Sequence, residues 1–306
     1  MGIKIMKRIL LAYNPVSGHA AFKRKLDSII DAFQKRGIIL SMYRTRRDDW
    51  SDFADFVKES RAEGIISAGG DGTLHAVVNA VLKAELQLPI GIIGSGTSND
   101  FASFLEIKDL NSYLDAVVEG KTRKVDVGVV NGHEYFINVA SAGSLTSIAH
   151  EVNAKLKNSL GRLAYYLRAV REIPKFKPIE IRVHADRVEF ELEAFLFVVL
   201  NSPTVAGLKH AAEFASVDDG KLDFVAIRKC NTKRLINLTR DLFAGRGAND
   251  DEVIFHLQSK RFYISSKQQL TSDLDGEVGD ELPIEIDTLP KAVEIFVQLD
   301  AARSNG

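Results

Sequence analysis

Cysteine is almost missing: Cys230 is the single one in 306 residues, so no intramolecular disulfide can form and a reducing cytosol is the expected compartment. Long apolar runs are missing too, since no stretch approaches the roughly 18–20 residues a membrane-spanning helix needs. The start, Met1 to Leu11, is basic and then apolar, but it runs into Tyr13-Asn14-Pro15 without a small-residue cleavage pattern and reads as a first strand. Met6 stands where a myristoylation motif wants Ser or Thr. Neither sign of charge prevails: 40 basic and 41 acidic residues leave −1, which removes the global electrostatic case for a nucleic-acid partner. There is no internal repeat, no Gly-x-x-x-x-Gly-Lys loop and no Gly-x-Ser-x-Gly elbow, so P-loop kinases and α/β-hydrolases fit poorly. The histidines show no metal-ligand spacing, and Cys230 reads as a small buried residue.

What is present is alternation. Ile9 to Tyr13 reads as a strand, and Phe22, Leu26, Ile29, Ile30 and Phe33 recur at helical spacing before Gly37. Strands at Ile38–Tyr43, Gly64–Ser67 and Pro89–Ile93 then alternate with helices at Asp52–Ser60, Leu74–Lys83, Thr97–Leu105 and Leu110–Val118. Such alternation predicts a Rossmann-like α/β half with a parallel sheet covered on both faces. From about Lys124 the texture changes to β-branched and aromatic runs, among them Val125–Val130, Tyr135–Ala140, Ile179–His184, Phe190–Asn201 and Leu222–Ile227. These predict a mainly antiparallel β half, interrupted by helices near Leu160–Ile173 and Thr232–Phe243. The expected division is residues 1–124, completed by 291–306 through the last run, and residues 125–290.

Two loops carry chemistry. Ser67-Ala68-Gly69-Gly70-Asp71-Gly72-Thr73 lies between a strand and a helix, where glycines let the backbone approach a ligand and the helix amino end suits a phosphate. Asp71 would repel that phosphate unless a cation intervenes or the carboxylate does proton or metal work, and a magnesium-bound nucleotide resolves the conflict. Ile92-Ile93-Gly94-Ser95-Gly96-Thr97-Ser98-Asn99-Asp100 repeats the design, although Asn99 or Asp100 taken singly reads as a helix cap. With Asn14 to Gly18 after the first strand, both loops would border one crevice beyond the carboxyl ends of the strands.

In order and spacing, Asn14-Pro15-Val16-Ser17-Gly18, Gly69-Gly70-Asp71-Gly72-Thr73 and Gly96-Thr97-Ser98-Asn99-Asp100-Phe101-Ala102 resemble the diacylglycerol kinase catalytic-domain family, in particular its soluble bacterial lipid kinases. Ala215-Ser216-Val217-Asp218-Asp219-Gly220-Lys221-Leu222 resembles that family's Asp-Asp-Gly turn, and Asp273-Leu274-Asp275-Gly276-Glu277 its Asp-Gly-Glu motif. The resemblance implies an ATP-binding α/β domain followed by a β-sandwich that takes the lipid substrate. It implies that Asn14, Pro15, Val16, Ser17, Gly18, Thr45, Gly69, Gly70, Asp71, Gly72, Thr73, Gly96, Thr97 and Asn99 hold ATP. It implies Glu277 as proton acceptor, a structural Mg2+ on the Asp219 carboxylate and the carbonyls of Ser216 and Lys221, and Asp71, Asp126 and Asp275 as further acids of a metal and water network at the cleft. It also implies a place in phospholipid biosynthesis. The chain departs from the family at Leu74-His75-Ala76, where Leu-Asn-Glu is usual, and at Gly94, often Pro.

Charge is segregated along the chain. Thr271 to Asp287 carries seven carboxylates and no basic residue, while Asn153–Arg182 nets +6 and Arg228–Arg246 nets +5. The acidic run suits a catalytic stretch, with a solvated loop as its plainer reading. The basic runs predict transient docking of a cytoplasmic, peripheral protein on an anionic membrane surface, against a solvated helix face. Two alternatives to the lipid kinase stand: a kinase of a soluble nucleotide such as NAD, because NAD kinases share Gly-Gly-Asp-Gly-Thr, and a lipid-binding or regulatory protein with weakened turnover, because of His75-Ala76. A homodimer is carried as an open expectation.

Overall fold

The structure, a computed structural model, describes residues 7–17, 21–46, 49–94, 99–105, 107, 109–143, 177–204, 212, 214–244, 246 and 252–298. It divides into two compact units, Met1–Val125 with Lys291–Gly306, and Asp126–Pro290.

In the first unit, strands β1 (Arg8–Tyr13), β2 (Ile39–Arg44), β3 (Ile65–Gly69) and β4 (Ile90–Gly94) alternate with helices α1 (Ala21–Lys35), α2 (Phe53–Ser60), α3 (Asp71–Lys83), α4 (Asp100–Phe104) and α5 (Leu110–Glu119). The strands pair in parallel in the order β2-β1-β3-β4, with Leu10 opposite both Ser41 and Ile65, and Ser67 opposite Ile92. The residues of β3 are buried without a break, as are Ile9 to Ala12 of β1, the pattern of parallel strands covered on both faces. Ile29 and Phe33 of α1 and Tyr113, Leu114 and Val117 of α5 lie on one side of this sheet in a shared core. Helix α5 is well punctuated. Asp109 accepts the Ser112 N–H at 2.8 Å at its start, and Gly120 ends it in the left-handed region at φ 71°.

One close approach seats α5 against β4. A Cβ on Gly91 would stand 2.2 Å from Ile66 Cδ1 and 2.8 Å from the Tyr113 hydroxyl, so only glycine lets α5 settle there. The fully buried Tyr113 hydroxyl then accepts the Ile92 N–H at 2.7 Å. Burial pushes the Tyr113 phenol above its ordinary range.

The second unit is mainly antiparallel. The chain enters it in β5 (Thr122–Val130) and leaves it in β15 (Ile284–Phe296), after β6 (Glu134–Phe136), β7 (Val139–Gly143), β8 (Ile179–Ala185), β9 (Val188–Leu200), β10 (Leu222–Arg228), helix α6 (Thr232–Phe243), β11 (Ile254–Ser259), β12 (Arg261–Ser266), β13 (Thr271–Leu274) and β14 (Glu277–Glu281). The order β14-β13-β7-β9-β8-β12-β15 forms the main sheet, and β10 adds to β9 with β11 beyond it. Long β9 is the hub, pairing β8 through Val188–Ala194, β7 through Leu196–Leu200, and β10. Strict alternation of buried and exposed residues in β8 turns Ile179, Ile181, Val183 and Ala185 onto a core with Phe197, Phe224 and Phe262. The expectation of an α/β half followed by a mainly antiparallel β half is met.

Helix α6 spans its expected residues, with Asn231 accepting the Arg234 N–H at 3.0 Å as its cap. The helix expected near 160–173 and most of the basic run over 153–182 lie outside the described residues. Among the described residues, no helix is long and apolar enough to cross a membrane.

Tyr113→Phe should lower unfolding free energy by about 1–3 kcal/mol, because it leaves the buried Ile92 N–H without an acceptor. Urea denaturation reads this as a lower midpoint at unchanged slope, and an unchanged midpoint would refute the role given to the hydroxyl.

Candidate functional site

The predicted nucleotide residues of the first unit gather at the carboxyl ends of its strands. After β1, the Asn14 N–H donates to Ala68 O at 2.9 Å and the Asn14 Oδ1 accepts the Val16 N–H at 3.0 Å, a local turn that leaves Val16 77% exposed. Asn14 Nδ2 lies 3.4 Å from Thr73 Oγ1, so the first loop is tied to the glycine loop. Thr45 follows β2, is buried, and donates its N–H to Tyr13 O at 3.0 Å. Beside it, Tyr43 meets Trp50, Phe53 and Phe56 in an aromatic cluster. Burial and a hydrogen bond to Asp52 push the Tyr43 phenol above its ordinary range.

At the glycine loop the structure separates two uses of glycine. A Cβ on Gly69 would stand 2.2 Å from Thr73 Oγ1 and 2.5 Å from Thr73 Cβ. Gly69 therefore also answers to packing, making room for the threonine, a demand that the sequence alone does not show. Gly70 occupies the cap position of α3 in extended conformation, and no side chain caps the helix. An uncapped helix start of this kind suits phosphate. Asp71 opens α3, and its Oδ1 accepts the Asp100 N–H at 2.8 Å, so one carboxylate serves the beginnings of both α3 and α4. Asn99 stands at the α4 cap position with left-handed φ 50° and ψ 50° and makes no side-chain cap hydrogen bond, so the capping reading of Asn99 does not hold. Gly18, Gly96 and Thr97 lie outside the described residues.

The predicted residues of the second unit occupy two turns. The first joins β13 to β14. Asp275 at φ 55° and Gly276 at φ 95° have the positive φ that a tight two-residue hairpin needs, which is why Asp-Gly stands here. Asp273 Oδ1 accepts the Gly276 N–H at 2.9 Å. The Asp275 carboxylate is spent on the backbone, its Oδ1 accepting the N–H groups of Asn138 and Val139 and its Oδ2 that of Ile137, each at 2.9 Å. Glu277 opens β14, which among the described residues pairs only with β13. Its carboxylate is exposed and has no hydrogen bond or ion pair among the described residues. Further acids of the run are engaged by other strands and turns: Asp280 accepts Asn131 Nδ2 at 2.7 Å, Glu281 accepts Gln269 Nε2 at 3.0 Å, and Glu285 and Asp287 pair with Arg261.

The second turn is Ser216 to Lys221. Gly220, at φ 75°, donates its N–H to Asp126 Oδ2 at 2.6 Å, and the fully buried Asp126 donates its own N–H to Val217 O at 2.6 Å. Asp219 Oδ1 accepts the Lys221 N–H at 3.0 Å and its Oδ2 accepts Gln258 Nε2 at 2.8 Å. Each oxygen keeps a further lone pair. No group of three or more His, Cys, Asp or Glu that could hold a metal occurs among the described residues. A cation here would rely on one carboxylate, backbone carbonyls and water, an all-oxygen set that suits Mg2+. His256 is turned to a different partner, with Nε2 2.6 Å from Asp223 Oδ1, whose carboxyl is pushed up by burial.

Sequence reasoning missed Asn138, Asn201 and Ser202, all buried at the end of β9 or against it. Their signal was a polar Asn201-Ser202-Pro203-Thr204 breaking off a long apolar strand, which resembles any turn.

Two family models match the chain: the diacylglycerol kinase catalytic domain over residues 8–130, and the YegS C-terminal NAD kinase beta sandwich-like domain over residues 138–297. A curated diacylglycerol kinase of Bacillus subtilis (strain 168) is 34% identical over 300 residues, 97% of this chain and 98% of that protein. The chain belongs to the diacylglycerol kinase catalytic-domain family. A diacylglycerol kinase of Staphylococcus epidermidis is also 34% identical, over 96% of this chain and 93% of that protein. A solved structure of a Bacillus anthracis diacylglycerol kinase has the same fold, with a TM-score of 0.77 at 24% identity over 98% of this chain and 99% of that one.

Within this family the departure at His75 falls inside α3, one turn before Asn79. His75 is buried, its Nε2 lies 3.3 Å from Asn79 Nδ2, and the same amide donates to His75 O at 3.0 Å. A Cβ on Gly94 would come within 3.1 Å of Asn99 and 3.2 Å of Ala102, so the glycine lets α4 pack closely.

Gly69→Ala should destabilise the first unit by about 1–3 kcal/mol through overpacking against Thr73. Thermal melting reads the loss as a lower Tm, and an unshifted Tm would show that the loop yields freely.

Proposed function

We propose that the protein is an ATP-dependent lipid kinase that transfers the γ-phosphate to the free hydroxyl of diacylglycerol or a related lipid. The observation that carries the reading is the Asp275-Gly276 turn, whose aspartate is pinned by three backbone N–H groups and which presents the exposed, unpartnered Glu277. A carboxylate held on a fixed turn, open to solvent and without a cation of its own, suits a proton acceptor. Membership of the diacylglycerol kinase family and the names of its curated relatives supply the substrate class.

In this reading Asn14 to Gly18, Thr45, Gly69 to Thr73, Gly96, Thr97 and Asn99 hold the nucleotide, with phosphates toward the uncapped start of α3. Glu277 orients the lipid hydroxyl and takes its proton as the oxygen bonds to the γ-phosphorus, the bond to the β-phosphate oxygen breaks, and ADP departs. Asp71 and Asp275 act by position, one at the starts of α3 and α4 and the other beneath the Glu277 turn. Mg2+, when bound, neutralises phosphate charge, and Asp219 with the carbonyls of Ser216 and Lys221 would hold a structural ion.

The lipid is met at a membrane surface by a cytoplasmic, peripheral protein. Helix α6 supports this through its basic residues, although Arg234 pairs with Glu252, and Arg240 and Arg246 with Asp241, which lowers the charge left for a headgroup. The NAD kinase reading rests on the shared Gly69–Thr73 loop and on the description of the second family model, and so NAD joins the panel.

Incubating the protein with γ-labelled ATP, Mg2+ and a panel of diacylglycerol, phosphatidylglycerol, a ceramide, a polyprenol and NAD should label a lipid and not NAD. Glu277→Ala should cut that transfer by roughly 10²–10⁴-fold with folding intact. Label in NAD, or full transfer by Glu277→Ala, would overturn the reading. Vesicles with and without anionic lipid, at low and high salt, test the membrane contact in the same assay, and equal sedimentation in all of them would remove it.

A further inference from the structure

The peptides Ile137 to Val139 hold the Asp275 turn by their N–H side, and a second residue grips two of them from the carbonyl side. Asn201 follows β9 and is fully buried. Its backbone N–H donates to Asn138 O at 2.9 Å, and its Nδ2 donates to Ile137 O at 2.7 Å. The same Nδ2 donates to Asp126 O at 2.8 Å. Asp126 accepts the Gly220 N–H and reaches Val217 O, so this bond leads into the turn that bears Asp219. One carboxamide therefore touches the support of the Glu277 turn with one proton and the support of the Asp219 turn with the other.

The orientation of that carboxamide is dictated. Two carbonyl oxygens face its NH2, so a flipped amide would set oxygen against oxygen twice. The Asn201 Oδ1 is left buried without a partner, a cost accepted on the opposite side. Neighbouring groups fix the surroundings: Ser202 Oγ donates to Asn138 Oδ1, and Asn138 Nδ2 donates to Thr204 O at 3.1 Å. A buried asparagine that merely closed a strand end would need one partner segment, whereas Asn201 bonds to two, Ile137–Asn138 and Asp126, each of which holds one of the turns that carry predicted site residues. Isosteric Asp cannot replace it, since a carboxylate has no proton for either carbonyl.

We propose that Asn201 is a positioning residue that couples the Asp275–Glu277 turn to the Ser216–Lys221 turn, so that the proton acceptor and the cation-bearing carboxylate keep one fixed relation. The inference rests on the kinase reading of those two turns. Loss of Asn201 frees both turns together and lowers the rate of the chemical step while leaving ATP binding, which uses the other unit's loops, unchanged.

The test compares Asn201→Ala with Tyr113→Phe, a destabilising change in the first unit, by amide hydrogen exchange and by phosphate transfer on the full chain. Exchange at Ile137, Asn138 and Gly220 should accelerate together by on the order of tenfold in Asn201→Ala and not in Tyr113→Phe. Transfer should lose kcat by about tenfold with KM for ATP held within about twofold, and Asn201→Ser, which keeps one donor, should recover part of it. Acceleration at one turn alone, or equal changes in kcat and KM, would overturn the proposal. So would failure of both Asn201→Ala and Asn201→Ser to fold, because the residue would then serve folding and not position. A wild-type protein without transfer sinks the kinase reading alone, since the exchange arm still decides whether Asn201 couples the turns.

Discussion

Three backbone N–H groups closing on one carboxylate are the constraint on which the second unit's candidate chemistry depends. A hairpin of two left-handed residues at the end of a short strand pair would ordinarily be mobile, because among the described residues β14 pairs with nothing beyond β13. The Asp275 carboxylate removes that freedom by binding Ile137, Asn138 and Val139, which belong to the approach to β7 and thus to the centre of the sheet. Charge-assisted bonds of this kind are stronger than neutral ones, and three of them act on one side chain. Glu277 inherits its place from this arrangement, two residues along the chain.

The first unit achieves fixity by a different route. Its central strands β1 and β3 are buried on both faces, and close packing at single glycines sets its helices and loops, Gly91 under Tyr113 and Gly69 under Thr73. Asp71 then joins the starts of α3 and α4 through the Asp100 N–H. An aspartate among glycines expected to face a phosphate is discordant in the sequence. In the structure its carboxylate is already matched to a helix-start donor, which explains how it is tolerated before any cation is considered.

The alternation of strands and helices up to Lys124 and the β texture after it were legible because each period reports directly on how an element is buried. The ordered motifs were legible because tight hairpins and glycine loops accept few residues: Asp275-Gly276 can form its turn from local rules alone. What stayed hidden depends on partners far apart in the chain. Asn201 reads as a turn residue until Asp126 and Ile137 are seen against its amide. Asp280, Glu281 and Asp287 read as part of a catalytic acidic run until Asn131, Gln269 and Arg261 are seen beside them. The packing role of Gly69 is hidden as well, because nothing local reveals how closely Thr73 folds back.

In the proposed mechanism Glu277 supplies the chemistry and Asp275 the placement, and these can be separated by a change that keeps size but removes the charge. Asp275→Asn, followed by amide exchange at Ile137, Asn138 and Val139 together with the rate of label transfer from ATP to diacylglycerol, is the most direct measurement. The account predicts faster exchange at all three amides and a fall in transfer, with Glu277 untouched. Faster exchange at those amides with transfer unchanged would contradict it.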